Sequence, residues 1–258
     1  MTAQVAELSA VDLHEAALEL GDDCLVLSHR LAEWTTHAPE LEEEVALANL
    51  ALDLLGQARS LLSLAGEAEG RGRDEDRLAY WRNDREFRNL LLVEQPNGDF
   101  AVTMTRQLLF SAYQELLYER MSSGTEPRLA AIAAKGVMEA RYHLEHARLW
   151  VQRLGGGTEE SHRRMRRALE LLWPYTKELF EPTEAWVRAA DQGALPPLSS
   201  IEGPWWQAIQ AVLESSHLEA PPFSAWQSGG RRGRHSEHLG HLLAEMQHLH
   251  RSHPNASW

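Results

Sequence analysis

Residues 42–66, EEEVALANLALDLLGQARSLLSLAG, constrain the fold of this chain more than any other stretch. Residues 45–64 are mostly Ala and Leu, with no proline and almost no β-branched side chain, so their propensity for α-helix is high. Residues 42–44 are glutamates, and acidic side chains stabilise the positive end of a helix dipole. A helix of this length spans roughly 35 Å. Because it is apolar on most of its circumference, it should be buried on several sides.

The same helix carries a polar row. Asn49, Asp53 and Gln57 are four residues apart, and Ser60 continues the row. One interpretation makes this row the solvent edge of a core helix. The other points it into a helix bundle, where carboxylate-bridged metal proteins carry Glu and Glu-x-x-His ligands on facing helices. In that case Asp53 and Gly56 occupy the Glu-x-x-His positions, and a glycine has no side chain to bind a metal.

Composition limits the class of protein. The net charge is −13 over 258 residues, which disfavours binding to nucleic acid or to an anionic membrane surface. The single cysteine, Cys24, excludes a disulfide within the chain and fits a reducing cytoplasm. Residues 1–20 lack the pattern of a signal peptide. No window approaches about 18 uncharged apolar residues, so we expect no membrane-spanning helix.

Apolar residues at intervals of three and four predict four long helices. We place them at residues 10–36, 42–66, 99–121 and 128–154. Gly21 lies inside the first helix, followed by Asp22 and Asp23, and predicts a kink or a close helix crossing. Asp99 and Thr158 have side chains that favour the N-cap position of a helix.

A C-terminal helical extension, residues 158–251, follows the long helices. Breaks rich in Pro and Gly divide it into helices at residues 158–190, 205–217 and 235–251, with a loop at residues 191–204. Trp173-Pro174 interrupts or kinks the first of these helices. No stretch alternates with period two for the length of a strand. We therefore predict an all-α protein of one domain, residues 1–258. Its core bundle lies at residues 10–155, and residues 1–9 and 252–258 form loose ends.

Residues 77–95 are more irregular, and we expect one or two short helices there. Arg82, Arg85 and Arg88 lie three apart in this segment, among acidic side chains. They form either a solvated charged face or a contact with an anion or a partner, since guanidinium groups pair bidentately. The nine tryptophans of the chain indicate either aromatic plugs between helices or a surface for a partner.

One group of residues on the fourth long helix has the composition of a metal site. Glu139, His143 and His146 stand four and three residues apart, and such ligands can hold zinc or iron. The Glu-x-x-His motif expected in a di-iron bundle instead reads Glu139 to Tyr142, with tyrosine in the ligand position. The two interpretations are a native metal site and a hydrogen-bonded structural cluster.

A second histidine-rich group lies near the C-terminus. His238, His241, Glu245 and His248 form a ladder on one face of the last helix. These side chains can bind nickel or zinc from a purification column, whereas a native site needs supporting groups that a sequence does not reveal. The chain has no dinucleotide-binding GxGxxG, no P-loop and no Gly-x-Ser-x-Gly motif.

Five stretches closely resemble the PaaC-type subunit of phenylacetyl-CoA 1,2-epoxidase. The resemblance extends over nearly the whole chain, in the same order, and the EQPNGDFA that follows a run of leucines is its most specific part. The stretches are GDDCLVLSHRLAEW (21–34), EEEVALANLALDLLGQAR (42–59), LLLVEQPNGDFA (90–101), GTEESHRRM (157–165) and HSEHLGHLLAEMQ (235–247).

The resemblance implies a ferritin-like bundle in a bacterial multicomponent oxygenase, which epoxidises the ring of phenylacetyl-CoA with oxygen and reducing equivalents from NADPH. It implies that the di-iron centre and the substrate belong to a homologous catalytic subunit. A separate reductase, with flavin and an iron–sulfur cluster, would deliver the electrons. This chain would be the structural companion, with no catalytic or cofactor-binding residue of its own.

The residues leave three hypotheses. In the first, Asp53, Gly56, Glu139 and Tyr142 are degenerate ligand positions of a non-catalytic subunit. In the second, the chain is a free-standing metal enzyme that uses Glu139, His143 and His146. In the third, it is a scaffold protein unrelated to oxygenation. For the first hypothesis, the residues expected to anchor the companion are Trp34, Trp81, Arg85 and Arg88.

Overall fold

A computed structural model describes residues 8–222, 225–254 and 256. Helix makes up 74% of it, and no strand occurs among the described residues. The all-α class is therefore confirmed. The loose ends predicted at residues 1–9 and 252–258 lie partly outside the described residues.

Ten α-helices occur in the described part of the chain. They are α1 (Ala10–Ala32), α2 (Leu41–Glu69), α3 (Glu75–Tyr80), α4 (Leu91–Glu94), α5 (Phe100–Met121), α6 (Pro127–Gly155), α7 (Glu159–Leu172), α8 (Glu184–Asp191), α9 (Ser199–Ser215) and α10 (Glu237–Ser252). Short 3₁₀ turns lie at Asp84–Glu86, Trp173–Tyr175, Lys177–Phe180 and Gly230–Arg232. The four predicted long helices correspond to α1, α2, α5 and α6 and are confirmed. The short helices expected in residues 77–95 are α3 and α4.

Both predicted N-caps are confirmed. The Asp99 carboxylate accepts a hydrogen bond from the backbone N–H of Val102 at 3.1 Å and begins α5. The Thr158 hydroxyl accepts one from the N–H of Ser161 at 3.1 Å and begins α7. Each side chain satisfies one of the backbone donors that the first turn of a helix leaves without an internal partner.

Two predicted boundaries are wrong. The first helix ends at Ala32, not at residue 36. Thr36 has a φ of 69°, which an α-helix does not contain. The loop predicted at residues 191–204 is shorter, since α9 begins at Ser199 and includes Pro204. A proline removes one helical N–H donor. The carbonyl of Ser200, four residues earlier, instead accepts a hydrogen bond from Arg120 at 3.3 Å.

The chain divides into two compact units. Unit 1 comprises Met1–Pro96, Thr183–Gln192 and Gly229–Trp258, and unit 2 comprises Asn97–Pro182 and Gly193–Ser228. The predicted C-terminal extension is thus shared between the two units. That the chain forms a single domain, with its core bundle at residues 10–155, stays a prediction.

Unit 1 is built on the packing of α1 against α2. A Cβ added at Gly21 would lie 2.9 Å from the Leu62 side chain, so the two helices approach closely there. The predicted close crossing is confirmed, and α1 continues through it as one helix. Fully buried leucines fill the core of this unit, among them Leu27, Leu31, Leu47, Leu50, Leu54 and Leu61.

Unit 2 surrounds α5, which packs against α6, α7 and α9. The rings of Trp173 and Trp205 lie 6.2 Å apart between these helices. The indole N–H of Trp205 donates to the carbonyl of Leu109 at 2.9 Å. These tryptophans act as the aromatic plugs that composition predicted, because their rings fill large interhelical volumes and the indole N–H of Trp205 has a buried partner.

Among the described helices, α2 is long and apolar enough to cross a membrane by length and composition. That no helix of the chain spans a membrane stays a prediction, because length and composition alone do not distinguish a membrane span from a core helix. A core helix passes the same test, and 44% of the most apolar window of α2 is buried. The remainder of that window leaves apolar side chains on the surface of the helix.

Candidate functional site

The polar row of α2 matches neither interpretation along its whole length. Asn49 and Ser60 are exposed, Asp53 is half-buried, and Gln57 is buried. The Gln57 amide oxygen accepts a hydrogen bond from the Cys24 thiol at 3.5 Å. Residues four apart on a helix are displaced by about 40° around its axis. The row therefore winds around α2, from the surface into the core and out again.

The predicted degenerate ligand positions do not line a buried centre. Gly56 is exposed, and Tyr142 is 54% exposed. Asp53 and Glu139 are half-buried. The expectation that these positions face a bundle interior is wrong for Gly56 and Tyr142. That no native metal binds to them stays a prediction.

The alternative metal-site residues are also not brought together. His143 is fully buried, whereas Glu139 and His146 are half-buried on α6. In residues 8–222, 225–254 and 256, no group of three His, Cys, Asp or Glu side chains could hold a metal ion. The side chains that the structure describes therefore do not bring together the ligands that a carboxylate-bridged di-iron bundle uses. The C-terminal ladder forms no such group either, and its members His241, Glu245 and His248 are exposed on α10.

A network of buried charges in unit 1 begins at Asp22 on α1. Its carboxylate accepts hydrogen bonds from both terminal nitrogens of Arg82, one of them at 2.9 Å. It also accepts the backbone N–H of Arg88 at 2.8 Å. The Arg82 guanidinium lies 4.2 Å from the centroid of the Phe87 ring. Arg82 is thus a buried ion-pair partner, a role that differs from both interpretations of the arginine segment.

The second part of the network surrounds Arg231. Its guanidinium donates to the Asp23 carboxylate at 2.7 Å and to the carbonyl of Glu19 at 2.7 Å. The Glu19 carboxylate accepts the hydroxyl of Thr183 at 2.6 Å. Burial raises the pKa of Glu19 to about 7, although Arg231 opposes the shift. Burial likewise raises the pKa of Asp23 to about 6 against the pull of Arg231.

The third part joins Glu94 to His235. The two ring nitrogens of His235 lie 2.7 Å from the Glu94 carboxylate and 3.0 Å from the carbonyl of Phe87. Because both contacts are acceptors, both nitrogens carry hydrogen in the arrangement that satisfies them. Burial alone would lower the pKa of His235, but the hydrogen bond and charge of Glu94 outweigh burial and raise it. Asn89 and the backbone of Ser236 also donate to Glu94, at 2.9 and 2.6 Å.

This network connects three stretches that carry the family resemblance. Asp22 and Asp23 belong to the GDDC stretch, Glu94 to EQPNGDFA, and His235 to the C-terminal HSEH stretch. Sequence reasoning assigned no function to these residues. The one available signal was a pair of aspartates within an apolar helix, because a buried carboxylate requires a partner.

The four proposed anchor residues all belong to unit 1 and are exposed or half-buried. Trp81 is 38% exposed, and the guanidinium of Arg77 lies 5.1 Å from the centroid of its ring. Arg85 is exposed, while Trp34 and Arg88 are half-buried. Their positions permit contact with a partner, and that contact stays a prediction.

Unit 2 contains an aromatic cavity. Its volume is about 670 Å³, and its lining includes Trp173, Trp205, Trp206, Trp226 and Lys177. The Lys177 ammonium lies 5.8 Å from the centroid of the Trp226 ring. The cavity combines aromatic walls with one positive and one negative side chain, Lys177 and Glu202, and an apolar lining with a few polar groups is common in small-molecule sites.

The chain is similar in sequence to known proteins. A family model described as "Phenylacetic acid catabolic protein" matches residues 1–258. A relative from Escherichia coli (strain K12), the C component of 1,2-phenylacetyl-CoA epoxidase, is 48% identical over 241 residues. The matched residues cover 93% of this chain and 97% of that relative.

The fold is thus that of an all-α, ferritin-like bundle protein. The chain belongs to the family of phenylacetic acid catabolic proteins. The resemblance found in the sequence is confirmed.

Proposed function

We propose that this chain is the non-catalytic, structural subunit of a phenylacetyl-CoA 1,2-epoxidase in aerobic phenylacetate degradation. It stabilises a homologous catalytic subunit, which holds the di-iron centre and the substrate. Support comes from the Escherichia coli relative, which is one of the subunits of that enzyme. Being a subunit places the relative in an assembly of several chains, and a partner is the central requirement of this proposal.

One structural observation carries the non-catalytic role. The buried carboxylates of unit 1 are held by the chain's own cations: Asp22 by Arg82, Asp23 by Arg231 and Glu94 by His235. A carboxylate that binds iron must present free lone pairs to the metal. In this chain those lone pairs accept hydrogen bonds from guanidinium, imidazole and backbone groups, which favours a structural role for the polar interior.

The same proposal assigns cofactors and location. This chain holds none of the cofactors. The partner subunit holds di-iron, and the reductase of the complex uses NADPH with flavin and an iron–sulfur cluster. The complex is cytoplasmic and binds neither nucleic acid nor membrane, in keeping with a net charge of −13, which repels both polyanions.

Reconstitution tests the proposal. We expect this chain, co-expressed with the di-iron subunit of the same genome, to elute with it as one stable complex in size-exclusion chromatography. That complex, with reductase, NADPH and oxygen, should consume phenylacetyl-CoA, whereas this chain with the reductase alone should not. Turnover without the catalytic subunit would contradict the structural role. Failure to bind that subunit at micromolar concentration would contradict the proposed function altogether.

A further inference from the structure

One side of α2 exposes a row of large apolar side chains. Leu41 is 73% exposed, Val45 54%, Leu52 64% and Leu55 42%. With half-buried Ala48, these positions follow one another at intervals of four, three, four and three. That spacing is the heptad pattern with which one helix packs along another. We call Leu41, Val45, Ala48, Leu52 and Leu55 the α2 seam.

Gly56 lies beside the seam, one turn after Leu52, and is exposed. A Cβ added there would meet nothing within 4 Å. Glycine inside a helix costs roughly 0.5–1 kcal/mol relative to alanine, and no neighbour in the described chain requires it. Gly21 differs, because a close helix crossing leaves no room for a side chain there: a Cβ at Gly21 would lie 2.9 Å from the side chain of Leu62. At Gly56 the surface of the helix is open, so a helix of another chain that packs along the seam can approach the α2 backbone closely there.

The charges around the α2 seam select among possible occupants. Glu42 is exposed, and Glu43, Glu44 and Asp53 are half-buried. The exposed basic side chain on this helix, Arg59, already pairs with Glu75 at 3.1 Å. The flank of the seam is therefore acidic. A second copy of this chain would bring the same acidic flank and a net charge of −13, and an anionic lipid surface would be repelled in the same way.

We infer that the α2 seam receives a helix from the di-iron subunit of the complex, and that this helix crosses α2 most closely at Gly56. The occupant has an apolar heptad row with basic residues on either side of it. Leucines at the seam then supply the desolvated centre of the contact, while the acidic flank steers the association. This inference rests on the proposed function and extends it by naming the surface through which the chain acts.

The test is a pair of matched substitutions. Gly240 on α10 is likewise exposed, and a Cβ there also meets nothing within 4 Å. Gly56→Leu and Gly240→Leu should both leave the circular dichroism spectrum and the cooperative melting of the isolated chain intact. In titration calorimetry against the purified di-iron subunit, we expect Gly56→Leu to weaken binding at least about tenfold and Gly240→Leu to leave it within about twofold. Glu42→Lys should slow association and reduce its dependence on salt.

The possible results distinguish a failure of the inference about the α2 seam from a failure of the proposed function. If the wild-type chain binds the di-iron subunit and Gly56→Leu binds equally well, the inference about α2 is overturned while the proposed function stands. If the wild-type chain does not bind at all, both are overturned. A dimer of this chain alone in sedimentation, lost in Gly56→Leu, would assign the seam to a second copy. Flotation with phosphatidylcholine vesicles, abolished by Leu52→Glu, would assign it to a membrane. Either result would overturn the inference.

Discussion

Asp22 and Arg82, 60 residues apart in the chain, form a fully buried ion pair. The guanidinium donates to both carboxylate oxygens, and the backbone N–H of Arg88 completes the coordination of the carboxylate. Such a pair gains little net stability, because desolvation of the two ions offsets their attraction. Its effect is greatest when one partner is removed, since the other charge is then left alone in the core.

The first prediction concerns that pair. Asp22→Ala should lower the free energy of unfolding by roughly 3–5 kcal/mol, because the Arg82 charge loses its buried partner. Urea denaturation of the isolated chain measures this change. The control is Asp53→Ala on α2, where the side chain is half-buried, and the cost there should stay below about 1 kcal/mol. Equal costs for the two variants would contradict the burial assigned to Asp22.

The second prediction concerns pH. The pKa of Glu19 rises from 4.5 to about 7, and that of Asp23 from 3.8 to about 6. The folded state thus binds these protons more tightly than the unfolded state, so stability falls as the pH rises through the interval. The raised pKa of His235 acts in the same direction, because the stability that its protonated ring contributes is lost as the pH rises above about 6.5. We expect the melting temperature to fall between about pH 4.5 and about pH 7, the interval between the unfolded pKa of Glu19 and its folded pKa.

A single substitution isolates Glu19 in that profile. Glu19→Gln cannot ionise, and its amide oxygen can still accept the Thr183 hydroxyl. The variant should therefore lose much of the decline in melting temperature between about pH 4.5 and about pH 7. Glu184→Gln is the matched control, because the Glu184 side chain is 96% exposed on α8. A profile that is identical in wild type and Glu19→Gln would show that this carboxyl does not titrate as described.

The third prediction compares two glycines. A Cβ at Gly66 of α2 would lie 2.0 Å from the backbone carbonyl oxygen of Arg73. Gly66→Ala should therefore destabilise the chain by about 1–3 kcal/mol, the usual cost of overpacking. Gly240→Ala on α10 meets nothing and should raise stability by up to about 1 kcal/mol. Chemical denaturation measures both, and a gain in stability for Gly66→Ala would contradict the close approach.

The fourth prediction concerns metal. We expect tag-free chain, treated with chelator, to retain no stoichiometric iron, because its buried carboxylates are held by arginine and histidine. Elemental analysis is the measurement, and about two irons per chain, as in a carboxylate-bridged di-iron bundle, would contradict the non-catalytic role. Nickel or zinc bound to the exposed histidines of α10 does not bear on this prediction. That metal should be lost in a variant with both His241→Ala and His248→Ala.

The long helices and their caps could be predicted because they depend on neighbouring residues. Helix propensity, apolar spacing and the side chains of Asp99 and Thr158 are all local properties. The error at Pro204 shows the limit of this reasoning. The helix continues there, and Arg120, 80 residues earlier than Ser200, donates to the carbonyl that the proline leaves without a helical donor. A local pattern does not contain that contact.

The candidate site was harder to predict, because its contacts are distant in sequence. Glu19 and Arg231 are 212 residues apart, and Glu94 and His235 are 141 apart. Nothing within either segment specifies the other. The prediction for the polar row of α2 was incomplete for a different reason. Spacing shows which residues share a helix face, but it does not show which face meets the core.

The charge network joins residues that the ribosome synthesises at widely separated times. Asp23 is synthesised 208 residues before Arg231, its counter-ion. At about 5–20 residues per second, this delay lasts roughly 10–40 s. Unit 1 therefore cannot finish folding while translation continues, although it contains the first helix made. The nascent chain must keep its acidic α1 hydrated until the segment that begins at Gly229 emerges, and a chain cut short before Gly229 would carry acids that it cannot bury.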